Sequence, residues 1–160
     1  MHPQKISPQG TNLVKKFEGL HRVQDDGMVS AYRCVAGVWT CGFGATRGVR
    51  SGTKWTKEYC DQRLVDDLND HGKAVKRHVN VPLTQFQYDA LTSFVFNLGE
   101  GSFKSSTLLK KLNKGMYDEV PEQLIRWNKA RVEGKLVPLN GLTRRRAAEA
   151  ALFSSDAALP

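Results

Sequence analysis

The sequence predicts a mainly α-helical α+β protein with one small β-hairpin region near the N-terminus. Apolar side chains recur at helical spacing over several segments, the first of which carries Leu13, Phe17 and Leu20. The stretch Ala31–Gly44, AYRCVAGVWTCGFG, instead combines short apolar and aromatic runs around Gly37, as is typical of a β-hairpin. Helices and strands that occupy separate parts of a chain define the α+β class.

Two helices are predicted in the first half of the chain. Ser7-Pro8 combines a hydroxyl cap with a proline at the first helical position, and the helix that begins there places Glu18 at its end. Thr56 is the expected cap of the second helix, which runs to about His78. This second helix is longer than the average of about 11–12 residues, so we expect it to connect separate parts of the fold.

The next helix is expected to lie at the centre of the core. Thr84 and Gln87 form a capping box at its start, and the residues that follow are densely apolar. Asn97 interrupts the apolar run near the end of this helix. The sequence therefore predicts a buried helix that carries one amide close to its C-terminus.

The C-terminal part is predicted to be helical as well. One helix should cover 106–114 and another 121–130, and Thr143 should begin a last helix with the sequence RRRAAEAALFSS. Three side chains of the 121–130 helix are expected to face inward: Leu124, Ile125 and Trp127.

The charge of the chain favours an anionic partner. Lysine and arginine number 24 against 16 aspartate and glutamate, which gives a formal net charge of +8 at pH 7. Nucleic acid, anionic membranes and bacterial cell wall all fit such a surface. Nucleic acid is not favoured, because the chain has no zinc-finger spacing, RNA-binding aromatic signature or convincing reader helix. The segment LTRRRAAEAALF leaves open an amphipathic helix that disturbs membranes, which is a function of a different class.

The cysteines and histidines predict neither a metal site nor a cofactor. Cys34, Cys41 and Cys60 include no Cys-x-x-Cys pair, and the four histidines have no metal-ligand spacing. We expect three reduced thiols. A Cys34–Cys41 disulfide across the hairpin stays open, since sequence alone does not fix the geometry that it needs.

Three residues near the N-terminus are candidates for chemistry. Glu18, beside Phe17 and close to the hairpin in sequence, could act as a general acid, or it could be a solvated surface carboxylate. Strand alternation could place Cys34 and Thr40 on one side of the hairpin, although both residue types also pack in half-buried strands. Position alone does not decide between these alternatives.

The order of several motifs along the chain favours the catalytic interpretation of these residues. Glu18, then AYRC, AGVWT and CGFG, resembles the catalytic segment of phage-type lysozymes, the endolysins of glycoside hydrolase family 24. The segment VPLTQFQYDALTSFVFNLG resembles the central buried helix of that family, and GLTRRRAAEAALF resembles its C-terminal part. Several motifs in matching order are far more specific than any one of them.

The resemblance implies a muramidase, which hydrolyses the β-1,4 bond between N-acetylmuramic acid and N-acetylglucosamine in peptidoglycan and so lyses the host. Glu18 matches the general acid of the family. Cys34 stands where the family more often has an aspartate, and Thr40 matches a threonine that helps to hold the attacking water. The resemblance suggests inversion at the anomeric carbon, whereas the residues themselves fit inversion and retention.

The resemblance also suggests residues that bind the substrate. Asn97 matches an amide that lines the sugar cleft, with helix packing as the alternative. Arg145 matches a position at the cleft rim that could meet peptide or lactyl carboxylates, with Arg146 as a nearby alternative. A solvated basic face is the other interpretation of both arginines. The segment HRVQDDG is longer than the family's usual spacer, and Asp25 or Asp26 could supply a carboxylate, although loop solvation fits both better.

The expected architecture is lysozyme-like, in a single domain over residues 1–160. A small β lobe should cover about 18–55, a connecting helix 57–80 and a larger helical lobe 81–160. The first 20 residues contain no apolar stretch of the length expected for a signal peptide or membrane anchor. By resemblance we expect a monomeric protein of the host cytoplasm. It would reach the wall through holes made by a holin, and its basic surface could contact anionic membrane or lipopolysaccharide.

Overall fold

The computed structural model describes residues 2–155, and its contacts divide the chain into two compact units. One unit is Val14–Asp67, which we call the hairpin unit. The other combines the residues up to Leu13 with those from Leu68 onward, and we call it the helical unit. The secondary structure is mainly α with short β-hairpins, so the predicted α+β class is confirmed.

The hairpin unit contains four two-residue strands. These are β1 (Val29–Ser30), β2 (Tyr32–Arg33), β3 (Trp39–Thr40) and β4 (Lys54–Trp55). Strand β1 pairs with β4, and β2 pairs with β3 so that Tyr32 lies opposite Thr40. All of these pairs are antiparallel, and the second of them is the hairpin that the sequence predicts.

A small core holds this unit together. Val29, Cys41 and Cys60 are its fully buried members, and Phe43 and Trp55 are among the side chains that pack around them. This core lies beneath the strands and turns, and it fixes the backbone from which the candidate catalytic side chains project.

The first two helices begin where the sequence predicts. Helix α1 (Pro8–Glu18) follows Ser7, and α2 (Lys57–His78) follows Thr56, whose hydroxyl accepts a hydrogen bond of 3.0 Å from the Tyr59 amide. Within the helical unit, the backbone amide and hydroxyl of Ser7 both donate to Asp89. The N-terminus of α1 is therefore anchored by a side chain that is 82 residues further along the chain.

The helical unit contains five further α-helices. These are α3 (Gln85–Leu98), α4 (Glu100–Lys104), α5 (Thr107–Asn113), α6 (Val120–Ile125) and α7 (Asn140–Ser154), with a 3₁₀ turn at Tyr117–Glu119. Helix α3 lies at the core as predicted, and both hydrogen bonds of its capping box are present. Gly72 of α2 is required beside α3, because a Cβ there would lie 2.0 Å from the Tyr88 hydroxyl.

The prediction for 121–130 was wrong in its second half. Helix α6 ends at Ile125, which is 47% exposed rather than inward-facing, and a second hairpin follows. Its strands are β5 (Lys129–Val132) and β6 (Lys135–Pro138). They are joined by Glu133 and Gly134, both with positive φ, as a two-residue hairpin turn requires. Most side chains of the hairpin are exposed, so its sequence lacks the apolar alternation that signals a strand.

Two other expectations can be compared with the structure. Leu124 is buried and Trp127 packs against the core, as predicted. The last helix begins at Asn140 rather than Thr143, whose hydroxyl donates to the Leu139 carbonyl one turn earlier. Within residues 2–155, no helix combines the length and the low polarity needed to cross a bilayer.

Candidate active site

Glu18 is the last residue of α1 and belongs to the hairpin unit. Gly19 follows with φ +72°, a left-handed conformation that ends the helix and that glycine adopts without strain. The Glu18 side chain is half-buried. Its Oε1 atom would lie 3.2 Å from a Cβ at Gly44, so the glycine of the CGFG turn leaves room for this carboxyl group.

The β2–β3 hairpin brings Cys34 and Thr40 together. Tyr32 pairs with Thr40, and Cys34 directly follows β2, where its amide donates to the Val38 carbonyl at 2.9 Å. Thr40 is 5% exposed, and its hydroxyl oxygen lies 3.0 Å from the Val38 carbonyl. Cys34 lies directly beyond the end of β2, so its placement on the same side as Thr40 stays a prediction.

The pKa of Cys34 is lowered from its ordinary value. The main cause is hydrogen bonding from the backbone at Val38 and Ala36, and the hydroxyl of Thr40 adds to it, whereas burial acts in the opposite direction. Such donors stabilise a thiolate more than a thiol. The hairpin therefore favours the form of cysteine that can accept a proton.

The other two cysteines behave differently. Burial raises the pKa of Cys41, and burial together with the nearby Cys41 raises the pKa of Cys60 to about 11. Both therefore stay protonated near neutral pH and act as small apolar core residues. All three cysteines are free thiols in the structure.

Tyr32 is the tyrosine of the AYRC motif, and it lies beside the catalytic candidates although it was not predicted as a site residue. Its pKa is raised by burial first, and then by the negative charges that Cys34 and Glu18 carry when they are ionised. The Tyr32 hydroxyl therefore lies within electrostatic range of both groups. On another side of the ring, the His21 imidazole packs edge-on with centroids 5.8 Å apart.

Asp25 and Asp26 lie in an exposed turn. The Met28 amide donates a 2.9 Å hydrogen bond to Oδ1 of Asp26, so this carboxylate shapes the turn. Such a turn is the loop role that we expected for both residues.

The helical unit holds the other candidate residues. Asn97, near the end of α3, is half-buried, and its Oδ1 accepts a 2.6 Å hydrogen bond from Nη2 of Arg146. Arg145 is 4% exposed, with Nη2 3.3 Å from the Ser93 hydroxyl. Asn97 and Arg146 therefore form one cluster with the residues that surround Ser93 and Glu149.

Glu149 is the anion at the centre of this cluster. Its Oε1 lies 2.8 Å from Nε of Arg146, in contact but not aligned as a hydrogen bond, and its Oε2 accepts from Ser93 at 2.5 Å. Burial raises the pKa of Glu149, while Arg146 and Arg145 oppose that rise. Because Arg145 and Arg146 are both buried, the interpretation of this pair as a solvated basic face was wrong.

The sequence contained one signal for this cluster. Glu149 follows Arg146 by three residues, a spacing that places two side chains on the same face of a helix.

Within the part of the chain that the structure describes, no three histidine, cysteine, aspartate or glutamate side chains are grouped as metal ligands.

The fold is that of a lysozyme-type glycoside hydrolase. A profile of the family described as Phage lysozyme matches residues 15–149. The endolysin of Acyrthosiphon pisum secondary endosymbiont phage 1 is 44% identical over 150 residues, which are 94% of this chain and 98% of the relative. The chain belongs to the phage lysozyme family.

Solved structures agree with this assignment. The muramidase domain of SpmX from Asticaccaulis excentricus superposes with a TM-score of 0.86 at 38% identity, covering 96% of this chain and all of that domain. A P22 lysozyme superposes with a TM-score of 0.79 at 34% identity, with coverage of 96% and 100%.

Proposed function

We propose that Glu18, Cys34 and Thr40 carry out the hydrolysis of the peptidoglycan strand. The chain is a phage endolysin, a lysozyme-type glycoside hydrolase with muramidase activity on peptidoglycan. The observation that supports the assignment of roles is the hairpin register, in which Tyr32 lies opposite Thr40 and the Cys34 amide donates to the Val38 carbonyl at 2.9 Å. The bond cleaved is the β-1,4 linkage from N-acetylmuramic acid to N-acetylglucosamine.

Glu18 acts as the general acid. Its carboxylic acid protonates the glycosidic oxygen, the bond from the anomeric carbon to that oxygen breaks, and N-acetylglucosamine leaves with a free 4-hydroxyl. A water molecule held by Thr40 and Cys34 attacks the anomeric carbon from the opposite face. This arrangement inverts the configuration, because the water rather than a protein atom forms the new bond.

Cys34 is the group that takes the proton from the attacking water. A thiolate accepts a proton, and the backbone N–H groups around the Val38 turn favour this form. Thr40 has one hydroxyl proton, which can be donated either to the Val38 carbonyl or to the sulfur. A thiolate draws that proton toward itself, which leaves the lone pairs of the Thr40 oxygen available to the water.

Asn97 and Arg145 bind the substrate in this proposal. The Oδ1 atom of Asn97 accepts from Arg146, so its amide N–H₂ group is the part that can donate to a sugar oxygen. Arg145 supplies positive charge for the lactyl or peptide carboxylates. Asn97→Ala should raise KM more than it lowers kcat, since a binding contact of this kind acts on substrate and transition state alike.

Glu18→Gln tests the role of the acid. We expect the rate of hydrolysis of purified sacculi to fall by about 10²–10⁴-fold, the usual contribution of general acid catalysis. Glu58→Gln is the matched control, because Glu58 is an exposed glutamate of the same unit, in the first turn of α2. Equal rates for the two variants would exclude Glu18 as the acid.

The second hairpin suggests a further contact, with anionic lipid. Lys129 and Arg131 alternate along β5 and face the same way as their partners Pro138 and Leu136. Leu136 is 59% exposed. A face that combines positive charge with exposed apolar side chains fits a lipid surface better than a polysaccharide, because only lipid offers a place for the apolar groups.

Vesicle sedimentation tests this contact. Binding to phosphatidylglycerol vesicles should exceed binding to phosphatidylcholine vesicles, and Leu136→Ser together with Arg131→Gln should weaken it. Lys104→Gln, an exposed change on α4, should have little effect. If the doubly substituted hairpin bound as well as the unsubstituted chain, the lipid would be held elsewhere or not at all.

The chain acts on the cell wall, and we propose that it does so as a monomer made in the host cytoplasm. A separate membrane protein of holin type would let it reach the wall. Expression alone should leave cells intact, and added chloroform or a co-expressed holin should lyse them. Lysis without either would contradict this route.

A further inference from the structure

A cavity of about 330 Å³ lies in the hairpin unit and is separate from the residues assigned above. Its walls are formed by Arg22, Val23, Gln24, Ser30 and Ala31. Arg22, Val23 and Gln24 belong to HRVQDDG, the segment between Glu18 and the hairpin that we expect by resemblance to be longer than the family's usual spacer. The lengthened spacer therefore builds a cavity.

The backbone around the cavity is ordered by hydrogen bonds. The Gln24 amide donates to the Met28 carbonyl at 2.8 Å, and the Ser30 amide donates to the Arg22 carbonyl at 3.1 Å. Arg22 adopts φ +61°, a left-handed conformation that is uncommon for residues other than glycine. An unfavourable conformation held in place by its surroundings is more frequent at functional sites than elsewhere.

Two polar groups of the cavity have no partner among the described residues. The Ser30 hydroxyl oxygen is buried and makes no hydrogen bond within residues 2–155. The Arg22 side chain is exposed, and within the same residues it forms no hydrogen bond or ion pair. A guanidinium and a hydroxyl that make no hydrogen bond within residues 2–155 fit a carboxylate, which accepts hydrogen bonds from both. The Gln24 side chain adds an amide to the same wall.

The cavity also adjoins the catalytic residues. The guanidinium carbon of Arg22 lies 5.8 Å from the centre of the Tyr32 ring. Tyr32 pairs with Thr40 across the hairpin, and its hydroxyl lies within electrostatic range of Glu18 and Cys34. A substrate bound at the catalytic residues would therefore have its substituents within reach of Arg22.

We propose that this cavity binds a carboxylate of the peptidoglycan strand, held by Arg22 and Ser30. The inference rests on the proposed function, which supplies the substrate. Two sources share this chemistry. One is the peptide stem, and the other is the lactyl group, whose carboxylate becomes free only when the stem is removed. The lengthened spacer thus gives this chain a contact with the substituents of the sugar in addition to the sugar itself.

Calorimetric binding of soluble glycan fragments tests the proposal without turnover. The Glu18→Gln chain, in which cleavage should be about 10²–10⁴-fold slower, serves as the background for Arg22→Gln and for Ser30→Ala. Arg50→Gln is the matched control, because Arg50 is an exposed arginine of the same unit that does not line the cavity. Three ligands are compared: fragments with the peptide stem, fragments stripped of it, and stem-bearing fragments whose carboxylates have been converted to amides.

Arg22→Gln should weaken binding of a carboxylate-bearing ligand about fivefold, which corresponds to about 1 kcal/mol, the upper range for a solvent-exposed ion pair. Ser30→Ala should weaken the same ligand, and neither change should affect the amidated fragments. An effect on stem-bearing fragments assigns the stem carboxylate, and an effect on stripped fragments assigns the lactyl carboxylate.

Equal losses for Arg22→Gln and Arg50→Gln would overturn the proposal, as would a loss that persists on the amidated ligand. Failure of the proposed function would look different. In that case the unsubstituted chain would release no fragments from sacculi, whatever the binding measurements gave.

Discussion

Removal of the charge of Glu149 should destabilise the helical unit by about 3–5 kcal/mol, the usual cost of breaking a buried ion pair from one side. Glu149 and Arg146 are both 0% exposed, and the closest approach between them is 2.8 Å. In Glu149→Gln the guanidinium of Arg146 stays buried while its only anionic contact in the described cluster becomes neutral. For a chain of 160 residues, about 2–4 °C per kcal/mol gives a fall in Tm of about 6–20 °C.

Urea unfolding followed by circular dichroism measures this loss directly. The matched control is Glu122→Gln, because Glu122 and Arg126 are 3.1 Å apart but 72% and 63% exposed. An exposed pair of this kind contributes at most about 0.5 kcal/mol. The two substitutions make the same chemical change, so the difference between them isolates burial.

A second variant separates the charge from the packing. Replacement of both partners, Glu149→Leu with Arg146→Met, should recover most of the stability, since an apolar pair of similar volume needs no counter-ion. If Glu149→Gln alone cost less than about 1 kcal/mol, the carboxyl group would be neutral in the folded protein and the reasoning would be refuted.

Three further outcomes are expected. Ser7→Ala should cost about 1.5–3 kcal/mol at pH 7, because its hydroxyl donates to the buried Asp89 carboxylate. Burial raises the pKa of Asp89, so the loss of stability caused by Ser7→Ala should shrink as pH falls through that raised pKa and the carboxylate becomes neutral. Urea unfolding at several pH values tests this. A loss of stability that stays constant with pH would contradict it. Thr40→Val should shift the pH midpoint of iodoacetamide alkylation of Cys34 upward, because the thiolate loses a donor; an unchanged midpoint would show that the hydroxyl does not reach the sulfur. Gly44→Ala should lower stability by about 1 kcal/mol, because φ at this position is +89°. It should also slow hydrolysis, because the new Cβ would lie 3.2 Å from Oε1 of Glu18. A fully active variant would exclude that contact.

Local signals explain which elements the sequence predicts well. The capping box of Thr84 and Gln87 and the cap at Thr56 each involve residues three apart, so they can be found without knowing the fold. The hairpin at 129–138 was missed because most of its side chains face solvent, and exposed strands carry no apolar alternation.

The candidate site also contains residues that local sequence signals predict and residues that they do not. The order of motifs around Glu18, Cys34 and Thr40 was enough to predict those three as site residues, and the roles proposed for them rest on that prediction. Three consecutive arginines suggest a solvated face, and only contacts with Ser93 and other residues far apart in sequence show that two of the three are buried. The cavity beside Arg22 likewise depends on backbone pairing that composition does not reveal.

The central claim is that this chain hydrolyses the glycan strand with Glu18 as the acid. Mass spectrometry of the fragments released from purified sacculi, by the chain and by its Glu18→Gln variant, tests it most directly. We expect reducing N-acetylmuramic acid ends from the chain and about 10²–10⁴-fold slower release by the variant. Anhydro-muramic ends would mean that no water attacks, and equal release by the variant would mean that the acid lies elsewhere; either result contradicts the account.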